Sequence, residues 1–266
     1  MKQTDLKEIE AEQKKYMGRV SNNKLKVDPK LEDYSGMWVE WLYPDKIAGA
    51  YDNWINAAWH ACFSTWEQYP FEESKKMTFY KKEKMVLNIL KDRPISAALE
   101  MPSFAFRVNG LSRALTHQFV RHRGMAFGQQ SLRVTNPLAQ PVRYPEWFNT
   151  LDKYAKRDIL EYYRDVIATI QETYATMIYA GCPVEQARNI LPIGTTTSIE
   201  CSTNLKSLVD YLRARTGSIA QGEHHYMAFL IAKEFKRVQP MFYKFVCSQV
   251  KGLDELVKSR GKGIKA

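Results

Sequence analysis

Nothing in this chain reads as a membrane segment. No apolar run approaches the roughly 20 residues that span a bilayer, and the N-terminus opens with charged residues rather than a signal-like core. Cysteine is scarce: Cys62, Cys182, Cys201 and Cys247 lie far apart, with no paired redox or zinc spacing among them. Their spacing leaves the thiols as reduced, mostly packed side chains of a cytoplasmic protein. A catalytic zinc helix is missing too. His224 and His225 are adjacent, so on a helix they point about 100° apart, and no HExxH spacing accompanies them. No metal is expected. Acidic residues are the minority, 29 against 39 basic ones, which leaves a net charge of +10. Such a surface attracts polyanions, but small nucleotides and cofactors are anions as much as nucleic acids are, so bulk charge does not choose between them.

What is present suffices for a sizeable core. Of 266 residues, 45% are hydrophobic and 12% aromatic, with no internal repeat, low-complexity tract or linker, which fits one large domain. Residues 1–45 are mixed and turn-rich, with Lys2 to Lys15 expected as an exposed helix. From Lys46 to Trp66 the positions Ala48, Tyr51, Trp54, Ile55, Ala58 and Cys62 keep a helical apolar period, and a further helix is expected over Tyr80 to Leu90. Ser103 to Val108 alternates with period two, as a half-buried strand does. Residues 149–181 read as long helices, ended by Gly181-Cys182-Pro183, and Pro183 is tolerated at the next helix start. The β-branched run Thr195 to Ile199 is expected to be extended, followed by helices over Asn204 to Ala214 and Gln221 to Val238. The tail from Lys258 to Lys265 reads as a solvated end. The result is an α/β fold, helix-rich, around a small central β-sheet.

The stretch from His117 to Arg133 stands apart. Three arginines, two histidines, three glutamine amides and a hydroxyl fall within seventeen residues. Its first part is predicted as a helix capped by Asn109, with Leu111, Leu115 and Phe119 at i, i+4, i+8 and Gly124 as a left-handed stop. Arg113, His117 and Arg121 then form a polar stripe, while Gln118 and His122 fall near the apolar one. An unpartnered polar group there costs about 1–3 kcal/mol, so this helix end has internal partners or faces a ligand. Arginine forks suit phosphate oxygens and amides can read the edge of a heterocycle. The competing reading is a solvated basic helix end that complements the helix dipole.

The string Arg121-His122-Arg123, seven residues, then Ser131, resembles the signature of the flavin-dependent thymidylate synthases. His117-Gln118 and Gln129-Gln130-Ser131-Leu132-Arg133 are similar to that family as well. Three later stretches extend the likeness: Glu185-Gln186-Ala187-Arg188 to Leu191-Pro192; Thr203 to Leu208, with Lys206 where arginine is usual; and Leu212 to Arg215, followed by Ala220-Gln221-Gly222-Glu223. By sequence alone Glu185 and Arg188 also fit a local i, i+3 ion pair. The likeness covers roughly residues 95 to 235, and the first 90 or so carry little of it.

The resemblance implies a homotetramer whose active sites combine residues from several subunits. It implies FAD, NADPH and methylenetetrahydrofolate, used to methylate dUMP at C5. By matched position, Gln118, Phe119, Val120, Arg121, Gln129, Gln130, Ser131, Leu132 and Arg133 would contact dUMP. Arg188 would reach its phosphate from a neighbouring subunit, and Arg215 would sit at the uracil ring as the catalytic arginine. Ser103, Arg121, His122, Arg123, Gln129, Asn204, Leu205, Lys206 and Asp210 would contact FAD. An arginine against the uracil edge stabilises the anionic ring without a covalent adduct, and the flavin carries the hydride chemistry. Ser131 has no evident His-Asp pair to activate it, so it reads as a binding hydroxyl. The chain departs from the family pattern at Met101, Gly128, Val134, Asp210 and Ile219, and Gly194 to Ser202 lacks the expected aromatics. These departures bear on folate and flavin contacts more than on the nucleotide phosphate. A related pyrimidine modification such as hydroxymethylation is the alternative. The competing class is a nucleic-acid-binding protein with Arg113, Arg121, Arg123 and Arg133 on phosphates.

Overall fold

Short strands alternate with helices along the computed structural model of the chain, which describes residues 28–42, 50–63, 70–93, 95–217 and 222–263. The elements in order are β1 (Leu31–Glu32), β2 (Trp38–Trp41), α1 (Ala50–Phe63), α2 (Pro70–Lys76), α3 (Phe79–Asp92), α4 (Ser96–Glu100), β3 (Ser103–Ser112) and α5 (Arg113–Phe119). They continue with β4 (Met125–Gln129), β5 (Val142–Arg143), α6 (Lys153–Tyr179), α7 (Val184–Ala187), β6 (Thr196–Asn204), α8 (Leu205–Arg215), α9 (Gly222–Val238), α10 (Pro240–Gln249) and α11 (Leu253–Gly263). A four-stranded sheet has the order β2-β3-β6-β4, and β1 pairs with β5 in parallel, Leu31 opposite Val142. The helix-rich α/β fold with a small sheet is the one the sequence predicts. The expected helix over Lys2 to Lys15, and the matches at Ile219, Ala220 and Gln221, lie outside the described residues.

The described residues fall into two compact units, each drawn from separate stretches. One takes the chain up to Met37, Asn109–His117 and Gln129–Ile199; the other takes Trp38–Val108, Gln118–Gly128 and the chain from Glu200 on. In the first unit α6 runs as one unbroken helix whose start is capped by Asp152, accepting from Tyr154 N and Ala155 N at 2.9 and 3.1 Å. Such a cap is worth about 1 kcal/mol. Its inward face carries Ile167, Tyr174 and Ala175. Arg143 is nearly enclosed there, donating to Gly110 O and lying 3.4 Å from Glu32.

The core of the second unit is aromatic. Trp41 stacks on Phe106 at 5.6 Å, Phe104 meets Phe235 at 5.1 Å, and Trp54 lies 5.0 Å from Phe242. Trp54 satisfies its indole N–H on Ala98 O at 2.8 Å. Truncating one such ring to alanine costs about 3–5 kcal/mol. α1, with the predicted apolar stripe, packs on α3 and α4.

One boundary differs from expectation. Asn109 does not cap a helix, because β3 continues through Ser112 and Leu111 is buried within the strand. α5 starts only at Arg113, where Ser112 Oγ accepts from Leu115 N at 3.0 Å. Likewise β6 runs on to Asn204, beyond the predicted Ile199.

Candidate active site

In the first unit, the arginine at the start of α5 meets the amide run. Arg113 N and Ala114 N donate to Thr195 O and Ile193 O at 3.1 and 2.9 Å, which fixes the first turn. Arg113 Nη2 then donates to Gln130 O at 2.8 Å. Gln130 is held on its other side by Ser198: its Oε1 accepts from Ser198 N at 3.3 Å and its N donates to Ser198 O at 3.0 Å. Gln129 Nε2 donates to Thr116 Oγ1 at 3.3 Å. Ser131 Oγ accepts from Arg133 N at 3.2 Å, so its hydroxyl shapes the turn.

The anticipated Glu185–Arg188 ion pair is absent among the described residues. α7 ends at Ala187 and passes into a 3-10 turn over Arg188–Ile190. Arg188 acts instead on Arg113: burial first and Arg188 second hold the Arg113 guanidinium below its ordinary value. Arg113 Nε is buried without an acceptor. Among the described residues none of Arg113, Arg133 and Arg188 has a carboxylate partner. Uncompensated guanidiniums with free donors form a receptor for an anion.

In the second unit, α5 ends at Phe119 and the chain turns through Val120 to Gly124. Arg121 N donates to Gln118 O at 3.3 Å and His122 N to Phe119 O at 3.1 Å. Gly124 has φ +78 and lies so close to Ser207 that a Cβ there would overlap the Ser207 hydroxyl. That approach seats the Arg121-His122-Arg123 turn against the first turn of α8. Leu205 N donates to Pro102 O at 3.1 Å, which ties the same turn to the start of β3, where Ser103 lies exposed.

Arg215, the last residue of α8, donates from Nε to His122 Nε2 at 3.2 Å. Behind His122 lie three enclosed rings, Phe119, Tyr211 and His224, with His122 edge-on to Tyr211 at 5.0 Å and to His224 at 5.9 Å. Burial first and Arg215 second lower the His122 value. For His224 the causes are burial, then Arg215, then His122, and its value falls to about 3. Both imidazoles are therefore neutral at neutral pH.

Each sequence candidate thus has a place. Gln129, Gln130, Ser131, Leu132, Arg133 and Arg188 belong to the first unit; Ser103, Gln118 to Arg123, Asn204 to Lys206, Asp210 and Arg215 belong to the second. Arg121, Arg123, Arg133 and Val120 are exposed, whereas the side chains of Phe119, Leu132 and Leu205 are core. Asn204 Oδ1 is used as the α8 cap, accepting from Ser207 N at 2.8 Å. Lys206 and Asp210 pair with each other at 3.0 Å, and Asp210 also meets Arg213 at 3.1 Å.

Sequence reading missed Arg113 as a partner of Arg188. Its signal was an arginine on the motif's own stripe with no acid in reach along the helix. Among the described residues no cluster of three or more His, Cys, Asp or Glu could hold a metal, and no helix is long and apolar enough to cross a membrane. The Cys201 thiol, 3.9 Å from Met125 Sδ, is pushed up to about 12 by burial and Cys62 to about 11, so neither is a ready nucleophile.

The sequence profile described as "Thymidylate synthase complementing protein" matches residues 48–241. A flavin-dependent thymidylate synthase of Sulfurisphaera tokodaii is 31% identical over 153 residues, 56% of this chain and 56% of that protein. The chain therefore spans little more than half the length of that relative. Another, from Pyrococcus furiosus, is 30% identical over 180 residues, 67% of this chain and 72% of its own. Among solved structures, the UMP/dUMP methylase PolB from Streptomyces cacaoi, bound with 5-Br dUMP, aligns with TM-score 0.64 and 16% identity over 83% of this chain and 99% of that one. Thymidylate synthase X from Helicobacter pylori, with FAD and dUMP, aligns with TM-score 0.56 and 18% identity over 84% and 99%. At such identities the structures speak for the fold. With the profile running from just before α1 into α10, the chain belongs to the thymidylate synthase complementing protein family.

Proposed function

We propose that this chain is a flavin-dependent thymidylate synthase, converting dUMP to dTMP with methylenetetrahydrofolate as carbon donor and NADPH as reductant. The reading includes a cytoplasmic homotetramer with shared active sites, a single domain in the chain, and no nucleic-acid or membrane partner. The observation that carries it is the pair Arg113 and Arg188, two neighbouring guanidiniums with no carboxylate partner among the described residues, beside Gln130. A nucleotide monophosphate neutralises such a pair, and the family's named relatives act on that chemistry. Arg133 and the Gln129 amide border the same turn, so they complete the phosphate and sugar contacts.

The donor set also fits FAD. Arg121 and Arg123 are exposed, have no carboxylate partner among the described residues, and sit against the N-terminal turn of α8, whose dipole favours an anion. By the family match His122, Ser103, Asn204, Leu205, Lys206 and Asp210 would join them, Leu205 through its backbone because its side chain is buried. When bound, FAD would supply the hydride that reduces the transferred carbon to a methyl group. The chain's own work is binding and charge. Arg215 lies against the uracil edge, where its planar fork stabilises the negative charge that makes C5 nucleophilic. No thiol is required, in keeping with the protonated Cys201 and Cys62.

The test is direct. Purified protein titrated with FAD and dUMP should melt at higher temperature, since about 100 Kd of ligand adds about 2.7 kcal/mol to the native state. Supplied with both co-substrates, it should release dTMP. A 5-hydroxymethyl product by mass would select the alternative modification, and turnover of UMP would widen the substrate. Absence of both FAD and dUMP stabilisation, with steeply salt-dependent DNA binding instead, would sink the reading.

A further inference from the structure

Three enclosed polar atoms in the second unit have no part in the reaction just described. Tyr211 and His224 are fully buried, and the Tyr211 hydroxyl and both His224 nitrogens find no hydrogen-bond partner among the described residues. Such groups are costly to bury, so their place behind His122 asks for a reason.

The hydrogen bond in front of them supplies one. Arg215 Nε can only donate, so the His122 Nε2 facing it at 3.2 Å is the unprotonated nitrogen, and the ring proton sits on Nδ1. Tyr211 and His224 meet that ring at 83° and 89°, and so fix its plane. The groups facing His122 are Arg215 and Tyr211 from α8, His224 from α9 and Phe119 from α5, with Arg121 and Arg123 beside it in the chain. A proton added to His122 would set one N–H against another and one cation against another.

We propose that His122, its ring held by Tyr211 and His224, is a positioning residue whose neutral imidazole locks the Arg215 guanidinium toward the nucleotide base, and that protonation of His122 releases it. This rests on the reading of Arg215 as the base-facing arginine. The lock needs the neutral ring. Burial and Arg215 hold His122 below the ordinary histidine value of about 6.5, so the lock is intact at neutral pH and fails only as pH falls below that range. His224, whose value falls to about 3, stays neutral throughout and adds no competing charge.

Two measurements on the full chain test this. The first is imidazole nitrogen NMR on the ligand-free protein. His122 should be the Nδ1–H tautomer, and Arg215→Leu should raise its titration midpoint. An Nε2–H tautomer, or a midpoint that Arg215→Leu leaves unmoved, overturns the proposal. The second is calorimetric binding of dUMP between about pH 8 and pH 5, comparing wild type with His122→Gln. The phosphate's own titration near about pH 6 is common to both and cancels. Glutamine keeps an acceptor that does not titrate, so the affinity ratio of variant to wild type should rise by about tenfold as pH falls, the scale of one charge-assisted hydrogen bond. A constant ratio overturns the lock. If dUMP binds neither protein while the NMR result holds, the positioning of Arg215 stands and the substrate reading fails.

Discussion

Arginines that hold one nucleotide can do different work, and kinetics separates them. In the proposed reading Arg113 and Arg188 face a phosphate that is unchanged by the reaction, so Arg188→Ala and Arg113→Ala should mainly raise the dUMP KM. Loss of one charge-assisted contact of about 1.5–3 kcal/mol corresponds to roughly 10- to 150-fold. Arg215, proposed to act where charge develops, gives a different expectation: Arg215→Ala should lower kcat at saturating dUMP, and Arg215→Lys should rescue only part, lacking the planar fork. Identical patterns for all three variants would show that the division of roles is wrong. At this scale the sequence was only partly legible. The Arg121-His122-Arg123 string suggested an anion site, but Arg188 read as well as a partner of Glu185. The structure sets Arg188 close enough to Arg113 to act on its guanidinium, a neighbour that spacing along α7 does not reveal.

At the scale of elements, the contact between the arginine turn and α8 depends on one glycine. Gly124 has φ +78 and no room for a Cβ beside Ser207, whereas Gly181, at φ +88, faces open space. Gly181→Ala should cost only the left-handed backbone term of about 1–2 kcal/mol. Gly124→Ala should cost more, because Ser207 and the first turn of α8 must also move. Urea unfolding of both variants gives the difference, and adding Ser207→Gly to Gly124→Ala should recover the excess, a coupling that a double-mutant cycle reads. Equal costs would mean that α8 does not seat on this turn.

The elements themselves were mostly readable from periodicity. α3, α6 and α8 appear where their apolar spacing put them. β3 was cut short because Leu111 is inward-facing in a strand and also fits the helical i, i+4 series with Leu115 and Phe119. Only pairing in the sheet decides between the two, and pairing is a property of distant residues. The same holds for the last five residues of β6, which carry Glu200, Ser202 and Asn204 and show no β-branched signal beyond Thr203.

For the whole molecule, the net charge of +10 raises the local concentration of every anionic ligand and does not discriminate between them. In the proposed tetramer discrimination would come from assembly, and that makes a distinctive demand. If a site takes Arg215 from one subunit and Arg188 from a neighbour, neither variant chain alone supplies an intact site. Consider Arg188→Ala chains and Arg215→Ala chains unfolded, mixed in equal amounts and refolded together. A site is intact when the subunit giving Arg215 is an Arg188→Ala chain and the one giving Arg188 is an Arg215→Ala chain. Random exchange produces that combination in about a quarter of sites, following from the symmetry of a closed homo-oligomer. Assayed with dUMP well below the KM of the Arg188 variant, the mixture should therefore regain up to about a quarter of wild-type activity, well above the mean of the separate variants. A site built from one chain gives no recovery at all, because every chain carries a defect in its own site. Activity at the mean of the two variants, with mixed oligomers verified by mass, would remove the shared-site reading while leaving the assignment of each arginine to its task untouched.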